Sequence, residues 1–269
     1  MGHVEPPSTA VLDHEKEGNM QTSRWAHIVL AGILVLRAAG LSAQAATTPG
    51  KRVLLVVQSK AAPATVATDA AVKRHLESLG CTVTEVDEAQ PVPPLASEDV
   101  IVISSSISAH KLEEKYRLVP LPVITWESYL LPQMNMSGMK ENGDFGTVEK
   151  NRYLWMVNAP HPLSAGLPSG LLNVYKHGAP MNWGKPGLGA TIIATLPGEP
   201  NQVAEFAYEK GATMDYENIA PARRVFIFLD NATFTDLNDA GIKLFDAAIA
   251  WSFSGATAGA HGQHRQIQP

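Results

Sequence analysis

Four short runs of aliphatic and β-branched residues constrain this chain most: Arg52 to Gln58, Val100 to Ile103, Pro122 to Thr125 and Arg224 to Leu229. A strand with one wet face alternates apolar and polar residues; an unbroken apolar run marks a strand buried on both faces, as in a parallel sheet between helices. Between the first run and the strand expected over Thr82 to Val86, the residues Val66, Ala70, Val72, His75, Leu76 and Leu79 recur at helical spacing, and Gly80 supplies the carboxyl cap. The stretch from Asp99 to Ser128 repeats the pattern as strand, short polar helix and strand. Such a succession predicts right-handed crossovers and an α/β fold: a doubly wound, mostly parallel, flavodoxin-like sheet with helices on both faces. Ligands of such sheets sit outside the carboxyl ends of the strands. Here those ends carry Ser104, Ser105 and Ser106 after one strand and Thr125, Glu127 and Ser128 after the next.

The pattern changes beyond Tyr129. Met134, Met136 and Met139 stand among Asn, Gly and Ser, which predicts a long loop over the sheet through Gly146. Thr147 to Asn158, Leu172 to Lys176, Ala190 to Thr195 and Val203 to Tyr208 are strand-like runs separated by Gly and Pro, and they predict an antiparallel extension. Asp236 to Trp251 is expected to close the domain as an amphipathic helix, with Thr235 or Asp236 as its amino-terminal cap.

These elements define one domain over residues 51–253, followed by a disordered tail over 254–269. Ahead of it, Met20 starts a segment in which Arg24 and His27 precede the apolar run Ile28 to Leu36, and small residues lead to Ala43-Gln44-Ala45. That order predicts a signal peptide cleaved after Ala45, with residues 1–19 as an upstream extension, and hence a secreted or periplasmic protein with no membrane attachment after cleavage. A net charge of -5 with scattered Lys and Arg argues against a nucleic-acid partner. Cys81, the single cysteine, excludes an internal disulfide and a cysteine-rich metal site, and its context is that of a small buried hydrophobe. No metal and no cofactor is expected.

Further segments carry a resemblance. The runs above, together with His161-Pro-Leu-Ser-Ala-Gly-Leu167, Phe206-Ala-Tyr-Glu-Lys-Gly-Ala212, Ala222-Arg-Arg-Val-Phe-Ile-Phe-Leu229 and Leu244-Phe-Asp-Ala-Ala-Ile-Ala-Trp251, resemble the trehalose-utilisation (ThuA-like) group within the class I glutamine amidotransferase-like fold of secreted bacterial proteins. The resemblance covers nearly all of residues 51–253 and implies a carbohydrate-type ligand. Amidotransferases of this fold place a cysteine nucleophile on a strand-to-helix turn and a His-x-Glu pair late in the chain. Here the corresponding strand runs into Trp126-Glu127-Ser128, and the late strand ends in Leu229-Asp230-Asn231-Ala232-Thr233. Glutamine hydrolysis by that route is therefore not expected.

Glu127 is the leading candidate, because a carboxyl at a strand end beside a large aromatic is desolvated and suited to acid or base work; a cap for the following turn is the structural alternative. Trp126 can stack on a sugar or fill the core. Ser104, Ser105 and Ser106 offer hydroxyls and N–H groups to an oxygen-rich ligand, or simply cap a helix. Ser128 with His161 or His177 as base and Asp230 as orienting acid would make a convergent Ser-His-Asp set. Trp183, Lys185 and Glu209 combine an aromatic, a cation and a carboxylate in loops, a further sugar-binding set. Three functions follow: a domain that binds or acts on a small carbohydrate-type ligand, a non-catalytic binding or scaffold module, and a serine hydrolase of esters or lactones.

Overall fold

Val53, Leu55 and Val57 of β1 (Arg52–Val57) enter one hydrophobic cluster, and Leu54 and Val56 enter another on the opposite face of the sheet. Both clusters are needed to bury this strand, which is why its sequence is apolar throughout. The computed structural model describes residues 48–254 and Gly2. The expected extension and signal peptide over 1–45 and the tail beyond Ser254 lie outside the described residues, and no described helix is long and apolar enough to cross a membrane.

From β1 the chain passes through α1 (Pro63–Ser78), with proline at its first turn where no N–H is needed, into β2 (Thr82–Asp87). β3 (Val100–Ile103), the single turn α2 (Ala109–Leu112) and β4 (Val123–Thr125) follow. The antiparallel part comprises β5 (Phe145–Asn151), β6 (Tyr153–Met156), β7 (Gly170–Asn173), β8 (Ala179–Gly184), β9 (Thr191–Leu196) and β10 (Glu199–Tyr208). β11 (Arg224–Phe226) and α3 (Asp239–Ser254) complete the domain.

The sheet runs β2-β1-β3-β4-β11-β10-β9-β6-β7, with β8 branching from β10 and carrying β5. The first five strands in that order are parallel, and every pairing beyond β11 is antiparallel. The α/β sheet with an antiparallel extension is thus the observed architecture. Val72 and Leu76 of α1 and Leu244, Phe245 and Ile249 of α3 cover one face. Leu112 of α2 and the loop residues Leu130, Leu131, Met134 and Met136 cover the other, so these methionines pack the loop down.

Two expectations need correction, and one strand, β8, lies outside them. The run from Thr147 to Asn158 is two strands, broken where Asn151 Oδ1 accepts the N–H groups of Arg152 and Tyr153. β8, with Pro180 and two glycines around it, carries too little apolar signal to be expected as a strand. The cap of α3 is Asn238, whose Oδ1 accepts from Ala240 N and Gly241 N at 3.0 and 3.1 Å, not Thr235 or Asp236. Those two residues belong to a separate turn, in which Asp236 binds the ring of His177.

Arg224 anchors the far end of the sheet. Its fully buried guanidinium donates to the carbonyls of Arg117, Val119, Leu121, Ala222 and Arg223 at 2.8 to 3.3 Å. Burial holds its pKa down at about 10, so it stays charged at neutral pH. The five carbonyls supply the oxygen ligands that a buried cation needs.

Candidate functional site

The parallel strands β1, β3, β4 and β11 end together, and the segments leaving them line one cleft of about 340 Å³. Gln58 follows β1, Ser105 to Ser108 follow β3, Glu127 to Tyr129 follow β4, and Asp230 and Asn231 follow the β11 segment. Thr147 of β5 and Asn182 of β8 close the side. The cleft lies at the carboxyl ends of the strands, where an open α/β sheet leaves its loops free to diverge.

Glu127 is placed by two local hydrogen bonds. Thr125 Oγ1 accepts its N–H at 3.2 Å, and its own Oε1 accepts the N–H of Tyr129 at 2.9 Å, which caps the short turn Ser128–Leu130. The carboxyl therefore serves as a cap and also lines the cleft. Burial pushes its pKa up to about 8; the Tyr129 N–H opposes this, and the charge of Asp230 adds to it. At neutral pH Glu127 is mainly protonated, and its hydroxyl is a donor. The Asp230 carboxyl is also raised by burial, against the N–H of Asn231.

Asn182 ties the strand ends together. Its Nδ2 donates to the carbonyls of Trp126 and Leu229 at 2.7 and 2.8 Å, and its Oδ1 accepts from Thr147 Oγ1 and from Ser128 Oγ at 3.3 Å. All four valences of the amide are used. Opposite it, Ser106 Oγ accepts the Gln58 N–H at 3.1 Å, whereas the buried Ser105 Oγ has no partner among the described residues. Glu88, itself buried, accepts from Gln58 Nε2 at 2.8 Å, from Lys111 Nζ at 3.1 Å and from the Ser108 N–H. One carboxylate thus holds the loops after β1 and β3 in place.

The structure brings together Glu127, Ser128, Asp230, Ser105 and Ser106 from the candidates. It does not bring the others there. Ser104 lies one layer below, donating to Asp69 at 2.6 Å and accepting the Ser106 N–H. Trp126 is core, edge-on to Phe245, and Trp183 is core as well, because neighbours on a strand point to opposite faces and Glu127 and Asn182 take the cleft side. Lys185 is exposed and outside the lining. His161 caps the turn Pro162–Ser164 and packs on Trp251, with Glu209 and Arg223 as its charged neighbours. Glu209 itself holds the Arg223 guanidinium at 2.8 and 3.1 Å.

The convergent Ser-His-Asp set is not formed. Ser128 bonds an amide, His177 pairs with Asp236, and among the described residues no serine hydroxyl binds a histidine ring. Cys81 lies at the start of β2, buried beside Thr48, with its thiol pushed up by burial. Sequence reading missed Gln58, Thr147, Asn182, Asn231 and Glu88. The rule that pointed to Ser104 and Glu127 also points to Gln58, the first polar residue after β1; Asn182 and Thr147 arrive from antiparallel strands that the rule does not cover.

Solved structures share this architecture. A protein described as ThuA-like from Bacteroides uniformis matches with a TM-score of 0.53 at 13% identity, over 82% of this chain and 98% of its own. The chain has the ThuA-like, amidotransferase-like fold. A protein described as part of a GMP synthase from Thermoplasma acidophilum matches with a TM-score of 0.50 at 14% identity, over 77% of this chain and 96% of its own. No protein-family model and no curated protein matches the sequence.

Proposed function

We propose that this domain is exported and binds a small, neutral, hydroxyl-rich molecule of carbohydrate type at the cleft, with Glu127 as the proton-carrying group. The observation that carries the reading is the lining itself: a protonated Glu127 beside Asp230, ringed by hydroxyls and carboxamides, with no Lys, Arg or His lining the cleft among the described residues. An anionic ligand would meet two carboxyl groups and no cation; a polyol finds donors and acceptors on every side. Glutamine hydrolysis is not part of this reading, because the turn after β4 presents Glu127 and Ser128 and the one cysteine sits at the start of β2. The ester hydrolase is not the favoured reading, because Ser128 Oγ bonds the Asn182 amide and no histidine ring among the described residues. Export rests on the sequence from Met20 to Ala45.

The test is a thermal-shift titration with trehalose, glucose and myo-inositol against glucuronate and short esters, on the wild type and on Glu127→Gln. A native-state ligand raises stability by RT ln(1 + [L]/Kd). A shift with a neutral polyol that the substitution alters supports the reading. A shift only with glucuronate or the esters, or none at all, overturns it.

A further inference from the structure

The sheet has a second feature that the cleft does not use. On the outer side of β6, β7 and β9, Tyr153, Trp155, Val157, Leu171 and Ile192 are each between 38 and 59% exposed. Their strand neighbours Leu154, Met156 and Ile193 are in the core, so the alternation that buries one face leaves an apolar face outside. Trp155 pairs with Leu171 of β7, which makes a continuous apolar row across two strands, and on its other side with the buried Thr195 of β9. Beside it a groove of about 640 Å³ is lined by Trp155, Val157, Ile192 and Pro200, with Glu199 as its one ionisable side chain. Nothing among the described residues covers this face, and β7 ends the sheet.

We propose that this face binds a second copy of the chain, sheet against sheet, in a two-fold dimer. Five large side chains open to this extent offer roughly 400–500 Å² of apolar surface. A standard interface buries about 800 Å² on each partner, of which a little over half is apolar. The exposed face therefore matches the apolar share of one protomer's side of a stable dimer. An isologous interface must also tolerate itself. This face does so: its five apolar side chains carry no charge, and Glu199 and the Arg152 guanidinium, 5.9 Å from the centroid of the Tyr153 ring, stand at its edge, so two such faces stack about 10 Å apart without bringing like charges together at the centre.

The experiment is analytical ultracentrifugation of the full protein from low to high micromolar concentration, with Trp155→Asp and Leu171→Lys beside the wild type. The wild type is expected to reach twice the monomer mass, and each variant to stay monomeric with an unchanged circular-dichroism spectrum. A wild type that is monomeric throughout, or a dimer that survives both substitutions, overturns the proposal. Should a variant fail to fold, hydroxyl-radical footprinting of the wild type decides: protection of Trp155 that grows with concentration supports the dimer. Protection that is independent of concentration assigns the face to another segment of the same chain and overturns it.

Discussion

Asn182 donates an amide proton to the main-chain carbonyl of Trp126, 2.7 Å away, although the two residues stand 56 positions apart. The same nitrogen reaches the carbonyl of Leu229, so one side chain on an antiparallel strand satisfies two strand ends of the parallel sheet. Asn182→Ala leaves both carbonyls and two hydroxyls unpaired in a buried place. It is expected to cost about 2–4 kcal/mol in urea unfolding. Asn182→Asp, which turns a carboxylate toward those carbonyls, should cost at least as much.

Glu127 should make stability fall as pH rises. The folded state holds its proton up to about pH 8, while an unfolded glutamate releases it near its ordinary 4.5, so the folded chain binds more protons between these values. The favourable contribution is complete below 4.5, declines through the interval and is gone above 8. Linkage puts the swing on the order of 3–5 kcal/mol. Glu127→Gln keeps the acceptor for the Tyr129 N–H and cannot ionise. Denaturation of both proteins at pH 5 and pH 9 should therefore show the substitution stabilising at the higher pH only.

Glu205 is the counterpart with no ligand to serve. It is fully buried on β10, neither carboxyl oxygen has a partner among the described residues, and burial holds its pKa far above the usual range. Its folded-state proton likewise makes stability decline with rising pH. Glu205→Met fills a similar volume without polar atoms and should stabilise by about 1–3 kcal/mol, more at alkaline pH. A lower melting temperature for this variant at pH 9 would show that Glu205 has a role in the native core.

Glu88→Ala should disturb the cleft from behind. Gln58, Lys111 and the Ser108 N–H lose their shared acceptor. A loss of about 1–3 kcal/mol is expected, together with a weaker thermal shift by any ligand that shifts the wild type. An unchanged ligand response would mean that Gln58 and Ser108 do not face that ligand.

Part of the candidate site is legible in the amino-acid order. Ser105, Ser106, Glu127, Ser128 and Asp230 follow runs whose apolar character announces buried strands, and polar residues at such ends collect on one edge of a parallel sheet. Trp126, Trp183, Glu209 and His161 do not follow from it, because a residue's neighbour in sequence says little about which way its side chain points. Trp126 is adjacent to Glu127 and on the opposite side of the sheet; Glu209 and His161 gather round Arg223, outside the cleft.

The class of the fold and the identity of the buried strands follow from the order of the amino acids, since burial on both faces demands continuous apolar residues and the helix between them demands its own period. Only the folded chain settles that β8 branches from β10 and brings Asn182 under the ends of β4 and β11. The same holds for Glu88, which looks like an ordinary turn residue and becomes a buried clamp. Both outcomes depend on hydrogen bonds between residues distant in the chain, and such bonds leave no periodic trace in the sequence.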